Sequence, residues 1–297
     1  MKNEVEIYEV GPRDGFQNLK EYVPLKNKLE IIDGIIRSGI KHVQITSFVS
    51  PKAIPQMSDA NDVAIACKEK YPETDFTALV PNLRGAGTAW ETGIRNIAYV
   101  VSLSQSHNKA NINCTHEESF VELKRIFGTY PQLNICLDLA TTFGCPFEGE
   151  KKPEEAVGFL KKYVELGIKE VNLCDTIGVA NPAQVRKVIV AVRDAYPELK
   201  LQIHIHDTRN MGMVNTLAAI ECGVKKVQST LGGLGGCPFA PGASGNLATE
   251  DLVYMLNQMD YRTGVDFDAI LEAAVQEKKL TIGGVFSGHQ INIERRY

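Results

Sequence analysis

Along the chain, short runs rich in Val, Ile and Leu alternate with longer segments whose apolar residues recur every three or four positions. The runs are EVEIYEV, HVQITSF, DFTALVP, IAYVVSL, LNICLDLA, EVNLCDT, LQIHIHD and KVQSTL, beginning near residues 4, 42, 75, 97, 133, 170, 201 and 226. Each reads as a buried strand. The segments between them, such as KNKLEIIDGIIRSG, EEAVGFLKKYVELG and AQVRKVIVAVRDAYP, place their apolar residues on one helical face and stop at Gly39, Gly167 and Pro197. The units repeat at a spacing of roughly 30 residues, the size of one strand-helix-strand crossover. Near-continuous apolar strands, each followed by a helix, belong to parallel sheets covered by helices, and eight of them close a barrel. The predicted fold is therefore α/β, a single-domain (β/α)8 TIM barrel over residues 1–297, with its functional groups at the C-terminal ends of the strands. An open doubly wound sheet is the alternative, weakened because no GxGxxG follows the first run. No linker or low-complexity tract divides the chain. The stretch after about Tyr261 reads as a short C-terminal extension that packs across the barrel or arms a dimer contact.

Composition narrows the function classes. With 297 residues, 44% hydrophobic and 23% charged, the chain can bury a large core. Its formal net charge of -4 and the lack of a dense Lys/Arg block argue against a nucleic-acid partner. The opening MKNEVEIYEV is charged, and no apolar run is long enough to span a bilayer, so no membrane partner is expected and the expected compartment is the cytoplasm. Seven cysteines without a CxxC pair suggest neither a disulfide framework nor a zinc knot. Cys67, Cys136, Cys174 and Cys222 lie in helix or strand patterns and read as small core residues.

The polar residues at the strand ends could form one constellation. Arg13, Asp14 and Gln17 follow the first run, Gln44 lies in the second, Asp138 in the fifth and Asp175 at the end of the sixth. The seventh ends His204-Ile205-His206-Asp207, and GGLGGCPFAPGASGN, with Cys237 and Asn246, follows the eighth. Alternate side chains of a strand share a face, so both imidazoles point one way while Ile205 points the other. Two imidazoles one step apart, joined by the Asp14 carboxylate across a closed barrel, suit Mg2+, Mn2+ or Zn2+ with positions left open for substrate. A hydrogen-bonded pair of interior histidines is the alternative. Arg13 offers a permanent cation to a developing oxyanion, or else pairs with Asp175 or another carboxylate at the barrel mouth. Cys237, in a glycine-rich loop, is either a proton donor or acceptor delivered by loop closure or an incidental turn cysteine.

Taken together, EVGPRDGFQN, TSFVSPKAIPQM, NINCTHEESF, DTIGVANP, HIHDT and GGLGGCPFAPGASGNLATEDLVYML resemble signatures of the 3-hydroxy-3-methylglutaryl-CoA (HMG-CoA) lyases. These are metal-dependent barrels whose superfamily also holds isopropylmalate synthases and biotin-dependent carboxyltransferases. The resemblance runs over nearly the whole chain. It implies a divalent metal, Mg2+ or Mn2+ ahead of Zn2+, held by Asp14, His204, His206 and Asn246. It also implies enolate stabilisation by Arg13, proton transfer by Cys237, support of the metal-bound loop by Glu250, and positioning of other polar groups by Asp175. Asn111 matches a position that contacts the CoA moiety, and Gln17, Gln44 and Asp138 fall on the substrate cavity. The implied reaction is retro-Claisen cleavage of an acyl-CoA to acetoacetate and acetyl-CoA, with leucine degradation as its setting and a homodimer as the expected assembly.

Two positions depart from the family pattern, which has Glu at Gln44 and Tyr at Asp138. One acid is lost and another gained across the same cavity. The swap fits either compensation within the same chemistry or a related lyase or aldolase acting on a different hydroxy acid or acyl-CoA. A Claisen-type synthase would share the metal residues, but such chains carry a further C-terminal domain. A carboxyltransferase would need a lysine near the end of the sixth strand, where Cys174 precedes Asp175. A non-catalytic acyl-CoA-binding module would not need the four metal positions together.

Overall fold

The computed structural model describes residues 3–236 and 245–293. Eight parallel strands close into a barrel: β1 (Glu6–Glu9), β2 (His42–Ser47), β3 (Asp75–Leu79), β4 (Asn96–Ser102), β5 (Asn134–Ala140), β8 (Glu170–Asp175), β9 (Lys200–Ile205) and β10 (Lys226–Ser229). Two-residue strands β6 (Gly144–Cys145) and β7 (Gly149–Glu150) form a small hairpin after β5. The covering helices are α1 (Leu25–Arg37), α2 (Ala60–Lys70), α3 (Leu83–Glu91), α4 (Gln105–Ile112), α5 (His116–Thr129), α6 (Pro153–Leu166), α7 (Pro182–Ala195), α8 (Gly212–Glu221) and α9 (Thr249–Gln258). The (β/α)8 barrel expected from the alternation is the observed fold.

Helix ends follow local chemistry. Thr115 and Glu118 form a reciprocal capping box at the start of α5, and Pro182 opens α7 behind an Asn181 cap. Gly167 ends α6 at φ +112, left-handed backbone where a Cβ would be strained. The stretch after Tyr261 carries a further helix, α10 (Phe267–Leu280), packed against α1. No helix among the described residues is long and apolar enough to cross a membrane. Cys67 and Cys174 are buried, whereas Cys136 and Cys222 are only partly so.

The strands are less uniformly apolar than their runs suggest, and the difference has a physical reason. Leu137, Leu139, Val171, Leu173, Ile203, Ile205 and Val227 belong to the continuous hydrophobic core. Their neighbours Asp138, Glu170, Asn172, Gln202, His204, Lys226 and Gln228 instead hydrogen-bond to one another from strand to strand. Successive side chains point to opposite faces, so the apolar set meets the helices and the polar set fills the barrel interior.

A buried group outside the barrel lumen yields a stability prediction. Glu277 of α10 is fully buried and neither carboxyl oxygen has a hydrogen-bond partner among the described residues. Burial, reinforced by Glu9 and Glu250, pushes its carboxyl well above the ordinary 4.5, so the folded protein keeps it protonated. A carboxyl raised on folding contributes stability below its unfolded value and loses it as pH rises toward the folded value. Glu277→Gln therefore gains on the parent by up to about 1.4 kcal/mol per pH unit over that window. Thermal midpoints at pH 6 and pH 9 check this, and an equal gap at both would contradict it.

Candidate active site and metal centre

After β1 the chain makes a single π-helical turn, Gly11–Gly15, in which the Arg13 and Asp14 amides both donate to the Val10 carbonyl. Such turns re-aim side chains that a regular strand would send elsewhere. The Gly11 amide donates to Glu9 Oε1 at 2.8 Å, and a Cβ there would lie 2.6 Å from that oxygen, so a larger residue would displace the buried carboxylate. Both charged side chains of the turn are thereby buried at the C-terminal mouth of the barrel.

Three chain segments bring the metal candidates together. His204 and His206 come from the end of β9, with ring centroids 5.1 Å apart. Asn246 is carried beside His206 by an antiparallel bridge. Its Nδ2 donates to Asp14 Oδ2 at 2.7 Å, across 232 positions of sequence. Gly235, at φ +144, lets the preceding loop run close by, since a Cβ there would lie 2.6 Å from Asn246 Nδ2. One ligand atom from each of Asp14, His204 and His206 lies within 4.8 Å of the others.

These residues fit a divalent cation. Burial would raise the Asp14 carboxyl, but Arg13, the two histidines and Asn246 hold it down at about 2, so it is a carboxylate at neutral pH. Burial, then His206, lowers His204 to about 4, and burial also lowers His206, leaving two neutral imidazoles with lone pairs to offer. His206 Nδ1 and Asn246 Oδ1 are buried with no hydrogen-bond partner among the described residues. Buried polar atoms are ordinarily satisfied, so a pair left open beside a carboxylate points to a bound group. One carboxylate, two imidazoles and an amide oxygen form a donor set for such an ion.

Arg13 donates through Nη1 to Asp14 Oδ1 at 2.5 Å and through Nε to Gln44 Oε1. Gln44, expected on the substrate cavity, thus orients the guanidinium as a neutral acceptor and faces the other end of the barrel, not the cavity over this cluster. Gln17 Nε2 adds a 3.1 Å hydrogen bond to Asp14 Oδ1.

A cavity of about 400 Å³ opens over this cluster, lined by Arg13, Asp14, Gln17, Asn111, Asp138 and both histidines. Val49, Ile54, Leu79, Val100 and Ile112 supply an apolar wall. Asp138 is the second carboxylate among the described lining residues. Its Oδ1 accepts from Asn172 Nδ2 at 3.0 Å, and burial lifts it to about 6 against the pull of Arg13 and Asn172. Asn111 lies on α4 at the exposed edge of the cavity.

Asp175 and Glu250 each hold a loop. Asp175 does not line the cavity, because Cys174 takes the inward position at that rung. The Asp175 carboxylate instead accepts the Val179 and Ala180 amides, each at 3.0 Å, fixing the loop after β8. Glu250 Oε2 accepts from the Gly232 amide at 2.9 Å, tying down the loop after β10. Burial raises its carboxyl to about 8. Cys237 lies outside the described residues.

The sequence reading missed Asn172, Gln228 and His107, all on the cavity wall. Asn172 and Gln228 were detectable as polar residues at alternate positions of apolar strands. His107, in the first turn of α4 with its Nδ1 2.6 Å from Ser102 Oγ, carried no comparable signal. A second cavity, of about 460 Å³, opens at the opposite end of the barrel around Tyr8, Glu170 and Lys226.

Comparison with known proteins identifies the family. The HMGL-like family model matches residues 4–276. A hydroxymethylglutaryl-CoA lyase of Bacillus subtilis is 42% identical over 278 residues, spanning 92% of this chain and 93% of that protein. The human mitochondrial hydroxymethylglutaryl-CoA lyase is 41% identical over 271 residues, 91% of this chain and 83% of that one. Among solved structures, an HMG-CoA lyase from Acinetobacter baumannii in complex with coenzyme A and 3-methylmalate matches with a TM-score of 0.93 at 37% identity, covering 100% of this chain and 97% of that chain.

Proposed function

This chain belongs to the HMGL-like family, and we propose that it is a divalent-metal-dependent carbon-carbon lyase that cleaves HMG-CoA or a close 3-hydroxyacyl-CoA to acetyl-CoA and a keto acid. The observation that carries the reading is the convergence of Asp14, His204 and His206 within 4.8 Å, with Arg13 bonded to the same carboxylate at 2.5 Å. The carboxylate and amide oxygens suit Mg2+ or Mn2+ while the imidazoles also admit Zn2+, and the coenzyme A held by the Acinetobacter relative supports a thioester substrate.

A cation bound there supplies Lewis acidity toward the substrate's hydroxyl and carboxylate oxygens. The protein does the rest. Asp14, His204, His206 and the Asn246 amide oxygen would hold the ion at the barrel mouth. In the reaction the tertiary hydroxyl gives up its proton, the bond between that carbon and the methylene next to the thioester breaks, and acetoacetate leaves. The electron pair of the broken bond becomes the acetyl-CoA enolate, which takes a proton at carbon. Arg13, held by Asp14 and Gln44, would meet the enolate oxygen with its guanidinium. The apolar wall restricts water around the developing charge. Cys237 is the proposed carrier of the returning proton.

Acetoacetate release from HMG-CoA with Mg2+ or Mn2+, abolished by EDTA and restored by added metal, is the expected result. Absence of cleavage in the presence of metal would sink HMG-CoA as the substrate. A second reading rests on Asp138. A buried carboxylate beside Asn172 favours a substrate that presents a neutral hydrogen-bond donor there, and opposes one that presents an anion. On that reading the double variant Asp138→Tyr, Gln44→Glu gains roughly 10-fold or more in kcat/KM on HMG-CoA, the scale of one misplaced polar contact. Unchanged kinetics would leave the two positions without a part in substrate choice.

A further inference from the structure

The ring of His204 is oriented from the far end of the barrel. Its Nδ1 lies 3.1 Å from Gln228 Oε1. An amide oxygen only accepts, so this contact puts the ring proton on Nδ1 and leaves the Nε2 lone pair available to a cation. Gln228 has no choice of direction either. Its Nε2 donates to Gln202 Oε1 at 3.0 Å, and Gln202 Nε2 donates to Glu170 Oε1 at 3.1 Å. Lys226 Nζ also donates to this Glu170 oxygen, which therefore accepts from both neighbours. The polarity of the chain therefore starts at Glu170. Gln202 must turn its amino group toward the carboxylate, its oxygen then faces Gln228, and the Gln228 oxygen is left for His204. Flipping either amide would set donor against donor or acceptor against acceptor inside a closed barrel, at the cost of unsatisfied buried groups.

The register explains why these side chains meet. Gln228 pairs with His204 and Lys226 with Gln202 across β10 and β9, while Glu170 opens β8 on the other flank of β9. The chain thus spans the lumen, from the cavity around Glu170 and Lys226 to the wall of the cavity over Asp14.

From this geometry we infer that Glu170 is a positioning residue for the metal centre, selecting the Nδ1-protonated tautomer of His204 through the Gln202–Gln228 amide relay. The role rests on the metal-site reading above. Loss of the selection leaves a mixture in which part of the protein presents Nε2–H, rather than a lone pair, to the cation.

The test compares the parent full-length chain with Glu170→Gln and with the double variant Glu170→Gln, Gln228→Glu. A glutamine at 170 can offer either end to Gln202, so the single variant loses the fixed polarity. The double variant restores a carboxylate next to His204, with Gln202 still able to donate to it. Two readouts are used: long-range 1H–15N spectra of the histidine rings in metal-free protein, and Mn2+ titration. We expect the Nδ1–H form of His204 in the parent, mixed tautomers with Mn2+ affinity weaker by about 10-fold or more in the single variant, and recovery of both in the double. An Nε2–H ring in the parent overturns the inference, as does a single variant that keeps both tautomer and affinity. A parent with the expected tautomer but no Mn2+ binding would overturn the metal-site reading instead, so the two failures are distinguishable.

Discussion

His206→Ala loses measurable Mn2+ binding and lowers kcat/KM for thioester cleavage by roughly 10³-fold or more, because the lost electrophilic assistance amounts to several kcal/mol and each 1.36 kcal/mol is tenfold. His206 is the preferred position for this experiment. Its Nδ1 has no hydrogen-bond partner among the described residues, so removing the ring orphans none of them at that atom. Asp14→Asn would reach the same site but strand the buried Arg13 without its counter-charge, mixing a folding defect into the kinetics. Calorimetric titration with Mn2+ beside steady-state kinetics decides the matter. Retained affinity in His206→Ala would remove that residue from the ligand set.

Arg13→Gln is expected to act on turnover more than on binding. Loss of a preorganised donor to an oxyanion costs about 10²–10³-fold in kcat, whereas KM changes little if the guanidinium interacts with charge that exists only once the bond is breaking. The variant carries a pH signature as well. Asp14 lies at about 2 despite its burial, and Arg13 is the strongest of the groups that lower it. A carboxyl depressed on folding is ionised above its folded value and lost as pH falls through it, so removing Arg13 moves that loss to higher pH. The acid limb of Mn2+ binding should shift upward in Arg13→Gln, measured by titrations between pH 4 and pH 7. Equal falls in affinity at every pH would show that Arg13 acts on the site through packing alone.

Both experiments concern residues that were visible in the chain before any geometry was known. His204 and His206 were placed on one face by strand alternation, and the structure brings them to within ligand range of Asp14. Arg13 and Asp14 stood out as an ion pair immediately after a strand, and the π-helical turn explains how adjacent residues serve one site. Other residues were misjudged from the same kind of pattern. Asp175, expected near the other polar groups, turns to the loop after β8 because an adjacent strand position must face the other way. The runs read as continuously apolar proved to alternate, since a glutamine or asparagine between leucines and valines does not disturb a strand's overall apolar character. The contact between Gln202 and Gln228 is for that reason not legible in the pattern.

Sequence alone determined the eight barrel strands, their alternation with helices and the identity of the cation-binding candidates, but not the β6–β7 hairpin or α10. Periods of two and of about 3.6 residues are local properties written at consecutive positions. Tertiary structure decided which polar side chains share the lumen, that Asn246 meets Asp14 from 232 positions away, and that the proton on His204 answers to a carboxylate at the opposite end of the barrel. These depend on closure and on the register between strands, which no window of the chain contains.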